Sequence, residues 1–105
     1  MGIIVISAYK PKEGKAEALK ALMRTHLPRL HQEGLVTDRQ SIMMEAADGT
    51  IIEVFEWVSE EAVRNAHSNP EVLKMWGEYG EACDYVPIGT MPEAAQLFSS
   101  FKPFA

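Results

Sequence analysis

A chain of 105 residues has room for one domain, and its 47% hydrophobic and 24% charged residues are typical of a globular protein rather than a disordered one. The formal net charge of −5, with dispersed basic residues, argues against nucleic acid as the main partner. A single cysteine excludes an intrachain disulfide, and no apolar run approaches the length that spans a bilayer. We therefore predict one domain over residues 1–105 that is soluble, cytoplasmic and not associated with membranes.

The first third of the chain predicts a strand followed by a long helix. Residues 3–9 are rich in Ile and Val on both faces, which is typical of a central strand that is covered on both sides. Residues 12–33 carry apolar side chains at three- and four-residue steps, which predicts a helix. We expect Pro28 to kink or break this helix, because proline lacks the backbone N–H, and Gly34 to end it.

The middle of the chain predicts a hairpin. Residues 41–46 and 51–58 are strand-like, and the turn between them contains Asp48-Gly49. An Asp-Gly pair is typical of tight hairpin turns, in which both central residues take positive φ.

The last part of the chain predicts a broken helix, a strand and a short terminal helix. Ser59 is placed to cap a helix, and Asn69-Pro70 interrupts that helix and starts a second segment. Residues 85–89 predict a short strand, which should lie at an edge because Pro87 cannot donate to a neighbour. Thr90 opens a capping-box pattern that predicts a final helix and an apolar, Phe-rich tail.

The element order is β-α-β-β-α-β plus a C-terminal helix, which predicts an α+β, ferredoxin-like fold with a four-stranded antiparallel sheet. The two helices can cover only one face of this sheet. Because the other face is also apolar, we predict a homodimer that packs sheet to sheet, with roughly 800 Å² buried per partner. The terminal Phe residues would either clasp the partner or fold back over their own sheet.

The residues from Ile51 to Ala62 read IIEVFEWVSEEA and are followed by Ala66-His67. Together with the stretch from Leu30 to Arg39, this segment resembles the strand-to-helix signature of the dimeric α/β-barrel superfamily, and most of all its antibiotic biosynthesis monooxygenase-like group. The superfamily includes cofactor-free monooxygenases, heme-degrading enzymes and isomerases. The resemblance implies a sheet-to-sheet dimer and a ligand cavity between the sheet and its helices.

The heme-degrading branch of that superfamily does not fit this chain. Its members use an Asn on the first strand, a Trp in the second helix and a His after the helical break. By rough alignment those places hold Ser7 or Ala8, Ala66 and Trp76 here. We therefore expect no heme and no other cofactor.

Two histidines are candidate catalytic residues. His67 stands at the family's Ala-His position, where it would act as a general base or donate to a phenolic substrate. Its alternative role is to cap the C-terminal end of its helix. His26 shares the apolar face of the first helix, where it either points into a cavity or is a core histidine bonded to the backbone. The chain has no His-x-x-x-His and no cysteine pair, so we predict no metal site.

Aromatic residues are candidates for the walls of a substrate pocket. The three that we select are Trp57, Trp76 and Tyr79. The same spacing also suits a packed core. Glu53 and Glu56 lie on opposite faces of an otherwise buried strand, so each needs a partner. We expect a salt bridge across the dimer with Arg39 or Arg64, or else a catalytic acid.

Two functions remain open on the sequence. The resemblance implies a cofactor-independent monooxygenase-like oxidoreductase that acts on a small aromatic or quinol-like compound, with His67 or His26 as its base. On that hypothesis a His67→Ala variant should stay dimeric and lose oxygen uptake. The alternative is a non-catalytic dimeric module that binds a small ligand or stabilises an assembly. An open pocket above roughly 300 Å³ with a histidine at its wall would favour the enzyme.

Overall fold

The computed structural model describes residues 2–104, which form a layer of helices against a five-stranded antiparallel sheet. The strands are β1 (Ile3–Pro11), β2 (Ile42–Glu45), β3 (Ile51–Trp57), β4 (Cys83–Val86) and β5 (Lys102–Pro103). The helices are α1 (Ala16–Gln32), α2 (Glu60–Ala66) and α3 (Pro70–Ala82). The sheet order is β4-β1-β3-β2-β5, and each pair of neighbours is antiparallel. The predicted α+β class is confirmed, and the order of β1 to β4 is consistent with a ferredoxin-like arrangement.

Helix α1 runs through Pro28 as one continuous element, so the expected break is wrong. Pro28 and Arg24 are both exposed, and water can therefore solvate the Arg24 carbonyl that the missing N–H leaves free. Gly34 takes a φ of +73° just beyond the helix. Its N–H donates to His31 at 3.0 Å, which closes the helix as the sequence predicts.

The hairpin between β2 and β3 lies where Asp48-Gly49 predicts it, but its geometry differs. Among residues 2–104, positive φ is confined to glycines, and Gly49 has a φ of +92°. Asp48 instead accepts a hydrogen bond from the Thr50 N–H on its side-chain oxygen, at 2.9 Å. The expectation of two positive φ values is therefore wrong, because one left-handed glycine completes this turn.

The second half of the helical layer begins at the predicted caps. Ser59 accepts a hydrogen bond from the Ala62 N–H, and Asn69 accepts from the first turn of α3. Strand β4 starts at Cys83 and ends before Pro87, several residues earlier than predicted. It is nevertheless an edge strand, as expected.

The predicted C-terminal helix is wrong. The segment contains only two short 3-10 turns, Ile88–Thr90 and Pro92–Ala95, and then the short strand β5, which pairs with β2. This fifth strand was not predicted from the sequence. Phe101 packs over the chain's own sheet, and Phe104 lies with its ring 5.2 Å from the guanidinium of Arg24. The tail therefore folds back on its own chain.

The alternation of each strand divides the sheet into two faces. The inner face packs against α1 and α3 and carries the main core, whose sheet residues are Tyr9, Ile51, Phe55, Trp57 and Cys83. The outer face is half covered by the C-terminal segment, through contacts of Met91 and Phe101 with Ala8 and Ile52. Its other half is apolar and open: Ile4, Ile6 and Ile42 are 55%, 52% and 60% exposed. In the described part of the chain, no helix has the length and apolar character needed to cross a bilayer.

Candidate ligand site

The inner face of the two central strands combines apolar and polar side chains. Strand pairing places Val5 opposite Phe55 and Ser7 opposite Glu53. Residues that are paired in this way share a face, so Ser7 and Glu53 are neighbours beneath the helices. Glu53 is completely buried there. A carboxyl group in such a position needs polar partners, because its desolvation is costly.

Helix α1 supplies one of these partners. His26 belongs to its buried stripe, together with Leu19, Met23 and Leu30. The His26 Nδ1 atom lies 2.8 Å from Glu53 Oε1. The oxygen is off the direction of a ring N–H bond, so we describe a close polar pair rather than an aligned hydrogen bond.

Tyr9 is the second partner of Glu53. Its hydroxyl donates to the same Oε1 atom at 3.2 Å. Among the described residues, Glu53 Oε2 has no hydrogen-bond partner. The carboxyl group is thus held by an imidazole and a phenol, and no arginine or lysine in residues 2–104 forms an ion pair with it.

The tyrosines around the pair are held in their neutral form. Burial, and then the nearby Glu53 carboxylate, raises the pKa of Tyr9 and of Tyr79 well above the ordinary value. Burial also raises the pKa of Tyr85 to about 12. These side chains are therefore hydrogen-bonding phenols near neutral pH and do not carry charge.

A pocket of about 300 Å³ opens beside the pair. It is lined by Val5, Ser7, Tyr9, His26, Phe55, Trp57, Trp76 and Tyr85. The lining is mainly apolar and aromatic, with a few polar groups, which is the usual character of a small-molecule site. Tyr85 is 55% exposed on the edge strand β4, so the pocket reaches solvent on that side. A larger recess of about 570 Å³ lies between Glu45 and Phe101, but it has no histidine in its wall.

The structure brings together three of the residues that the sequence selected. His26, Trp57 and Trp76 all line this pocket. Tyr79 is fully buried behind it, with its ring 5.4 Å from the His26 ring and its hydroxyl donating to the Leu22 carbonyl at 2.9 Å.

His67 lies away from the pocket wall. It is exposed at the end of α2, and its Nδ1 is 2.9 Å from the Val63 carbonyl oxygen, to which it donates when protonated. Its ring meets the edge of Trp76 at a centroid distance of 5.1 Å. This placement corresponds to the helix-capping interpretation of His67.

Glu56, on the outer side of β3, has partners within the same chain. Its Oε1 accepts hydrogen bonds from Arg39 at 2.9 Å and from Thr37 at 2.8 Å. These two bonds lower the pKa of Glu56. The expected bridge to Arg39 therefore forms inside one chain, and Glu53 pairs with His26 instead of an arginine.

Five pocket residues and the role of Glu53 were not predicted from the sequence. The lining residues that were not selected are Val5, Ser7, Tyr9, Phe55 and Tyr85. Alternation along β1 already placed the first three on one face, but only the pairing register shows that this face meets Glu53. Across residues 2–104 no three His, Cys, Asp or Glu side chains cluster as a metal site would require. What the site offers is an imidazole beside a buried carboxyl group at the wall of an aromatic pocket, which is suited to proton transfer.

Comparison with known proteins gives one informative result. No protein-family model and no curated protein matches this sequence. Among solved structures, the chain is similar to that described as the structure of Rv0793 from Mycobacterium tuberculosis, with 21% identity and a TM-score of 0.64. The match covers 82% of this chain and 89% of that chain. At this level of identity it shows a related fold.

Proposed function

We propose that the chain is a cofactor-independent, monooxygenase-like enzyme that oxidises a small aromatic or quinol-like compound. The observation that carries this proposal is His26, which stands at the wall of an aromatic pocket of about 300 Å³ and is backed by the buried Glu53. A pocket of this size suits a small ligand. The resemblance of the segment 51–67 to the monooxygenase-like group gives separate support.

His26 is the proposed base. Because Glu53 Oε1 lies 2.8 Å from its Nδ1, its Nε2 is the nitrogen left to take a proton from a bound substrate. A carboxylate at the far nitrogen stabilises the imidazolium that then forms. This assignment moves the base from His67 to His26, since His67 lies outside the pocket wall.

The chemistry can be written for a hydroxyanthrone. His26 removes one proton from the ring methylene, and the resulting carbanion adds to molecular oxygen. The peroxide anion takes that proton back from the His26 imidazolium and becomes a hydroperoxide. His26 then removes the second methylene hydrogen as a proton, the electron pair of that C–H bond forms the new carbonyl as the O–O bond breaks, and the departing hydroxide takes the proton and leaves as water. One O₂ is consumed for each quinone formed. The protein supplies the base, the orientation and a mainly apolar pocket.

The test compares two histidine variants in oxygen uptake with a hydroxyanthrone, after subtraction of the enzyme-free oxidation rate. His26→Gln should lower kcat by about 100-fold or more, which is the usual contribution of a positioned general base. His67→Ala is the matched control and should retain turnover close to that of the unmodified protein. Loss of turnover in His67→Ala with full activity in His26→Gln would reverse the assignment, and an inactive unmodified protein would refute the proposed function.

We also propose that the chain works as a homodimer that buries the open half of the outer face. Ile4, Ile6 and Ile42 are more than half exposed there, and Leu97 and Phe98 of the C-terminal segment are 91% and 84% exposed. Apolar side chains grouped on one face are typical of a surface that packs against another protein. The C-terminal segment covers the remainder of the face, so the proposed interface is smaller than the whole sheet.

A further inference from the structure

We infer that the pocket accepts a neutral hydroxyarene and excludes the corresponding carboxylate, and that Glu53 sets this charge preference. This inference names the substrate class of the site described above and rests on the proposed function only for the identity of the pocket. It concerns binding, so it can be tested without turnover.

The lining of the pocket contains no lysine or arginine. The basic residues on the adjoining helix are engaged elsewhere: Lys20 is 3.3 Å from Glu45, and Arg29 Nη1 is 2.8 Å from Glu78. Arg24 lies over the ring of Phe104. A carboxylate bound in the pocket would therefore meet no lysine or arginine from its wall, and the one imidazole there is already paired with Glu53.

The net charge of the pair formed by His26 and Glu53 depends on the number of protons that the two side chains hold. When one proton is shared between them, as imidazolium with carboxylate or as imidazole with carboxylic acid, the net charge is zero. When that proton is lost, the net charge is −1. A net positive pair would require an imidazolium beside a neutral carboxyl group, which gives up the attraction between the two. The neighbouring phenols are uncharged, because burial raises the pKa of Tyr9 and of Tyr79.

A hydroxyarene and a carboxylate differ in the charge that they bring into the pocket. A hydroxyarene enters without charge, so it loses little hydration, and the anion that forms later is matched by the imidazolium that took its proton. A carboxylate brings its charge from water into an apolar pocket that has no lysine or arginine to pair with it, which is costly. The buried Glu53 carboxyl, whose Oε2 has no partner among the described residues, adds repulsion. Both effects favour the neutral ligand.

The experiment measures binding of 2-naphthol and of 2-naphthoate to the full chain by calorimetry near pH 7.5, where the first probe is neutral and the second is ionised. The unmodified protein should bind 2-naphthol at least tenfold more tightly than 2-naphthoate. Glu53→Gln keeps the shape of the side chain and removes its charge, so it should narrow that ratio at least threefold. Glu56→Gln, on the other face of the same strand, is the matched control and should leave the ratio unchanged.

A second variant covers the case in which Glu53→Gln does not fold. Tyr85→Arg adds a cation at the exposed side of the pocket, where 55% exposure makes substitution tolerable, and should raise 2-naphthoate affinity selectively. Equal or tighter binding of 2-naphthoate by the unmodified protein would overturn the inference, as would the absence of 2-naphthol binding. Preserved naphthol selectivity without oxygen uptake would refute the proposed function and leave the inference intact.

Discussion

The two faces of strand β1 carry different kinds of side chain although they belong to the same backbone. Val5, Ser7 and Tyr9 point to the helices, while Ile4 and Ile6 point away from them. The inner set includes two hydroxyl groups beside a buried carboxyl group. The outer pair is purely apolar and more than half exposed. Over residues 4–9 of β1 the covered side is thus the more polar one, which is the reverse of what burial alone would favour.

This difference separates stability from function. Replacing a buried polar pair by apolar residues of similar volume is often neutral or stabilising, so His26 and Glu53 are not explained by the needs of the core. Their position at an aromatic pocket supports a chemical role. Exposed isoleucines, in contrast, do not favour solubility. They stabilise the protein only when another surface buries them. The inner face is therefore where we place ligand chemistry, and the outer face is where we place assembly.

The largest expected effect tests this contrast with a matched pair of isoleucines. Ile51 is 1% exposed on the inner face, and Ile51→Ala should lower the free energy of unfolding by about 2–5 kcal/mol through lost burial and a residual cavity. Ile42 is 60% exposed on the outer face, so Ile42→Ala should lower the free energy of unfolding much less. Urea denaturation measures both losses.

Protein concentration sharpens that measurement. The loss in free energy of unfolding for Ile51→Ala should be the same at every protein concentration, because the contacts of the Ile51 side chain lie within one chain. The loss for Ile42→Ala should vary with concentration, because dimerisation stabilises the folded chain by mass action. A loss for Ile42→Ala as large as that for Ile51→Ala and independent of concentration would contradict the division into two faces.

An intermediate effect is expected for a charge on the open half of the outer face. Ile6→Lys would place an ammonium group in the proposed interface, so the variant should sediment as a folded monomer at concentrations where the unmodified protein is a dimer. We expect at least a tenfold increase in the dissociation constant by analytical ultracentrifugation. Leu73→Lys, at a 47% exposed position on α3, is the control and should remain dimeric. A monomeric unmodified protein at high micromolar concentration would refute the dimer.

The smallest effect concerns an ion pair at the solvent side of the helical layer, in contrast to the buried pair beneath it. Arg29 forms two hydrogen bonds with Glu78 and lowers the pKa of that carboxyl below its ordinary value of 4.5. Ionised Glu78 therefore stabilises the fold above that value, and this contribution is lost as the pH falls through the lowered pKa of the folded state. Both side chains are about a third exposed, so water and salt weaken the interaction.

The corresponding variant is Arg29→Gln. Its free energy of unfolding should be slightly lower than that of the unmodified protein at pH 7, and the two should converge in acid once Glu78 is protonated. Urea denaturation at a series of pH values measures the gap between them. A gap that persists at acid pH would mean that Arg29 acts through packing of its aliphatic stem rather than through its charge.

Local patterns predicted much of the fold and part of the site. The three- and four-residue spacing predicted α1 and placed His26 on its buried stripe. The helix caps at Ser59 and Asn69 could be predicted from the sequence, because the side-chain oxygen of a cap accepts hydrogen bonds from N–H groups only two or three residues away. Trp57 and Trp76 were selected as pocket residues from composition and spacing, and both line the pocket. Each of these depends on residues close to one another in the sequence.

Other features depended on contacts between distant residues. Glu53 and His26 are 27 positions apart, and no local rule pairs them; their contact exists because α1 crosses the inner face of β3. The C-terminal segment has a capping-box pattern, yet it forms 3-10 turns and β5, since its apolar residues are held by the outer face and by the edge of β2. Pro28 stays in a continuous helix because its turn faces solvent.

The sequence by itself determined the type and order of the main elements, because hydrophobic period, caps and turn residues act over a few bonds. Only the tertiary structure decided which polar groups meet, which half of the outer face stays open and that His26 rather than His67 borders the pocket. Those outcomes depend on strand register and on the way helices cross the sheet. Register is a property of paired strands, and a shift of one residue would turn Glu53 from the inner face to the outer one.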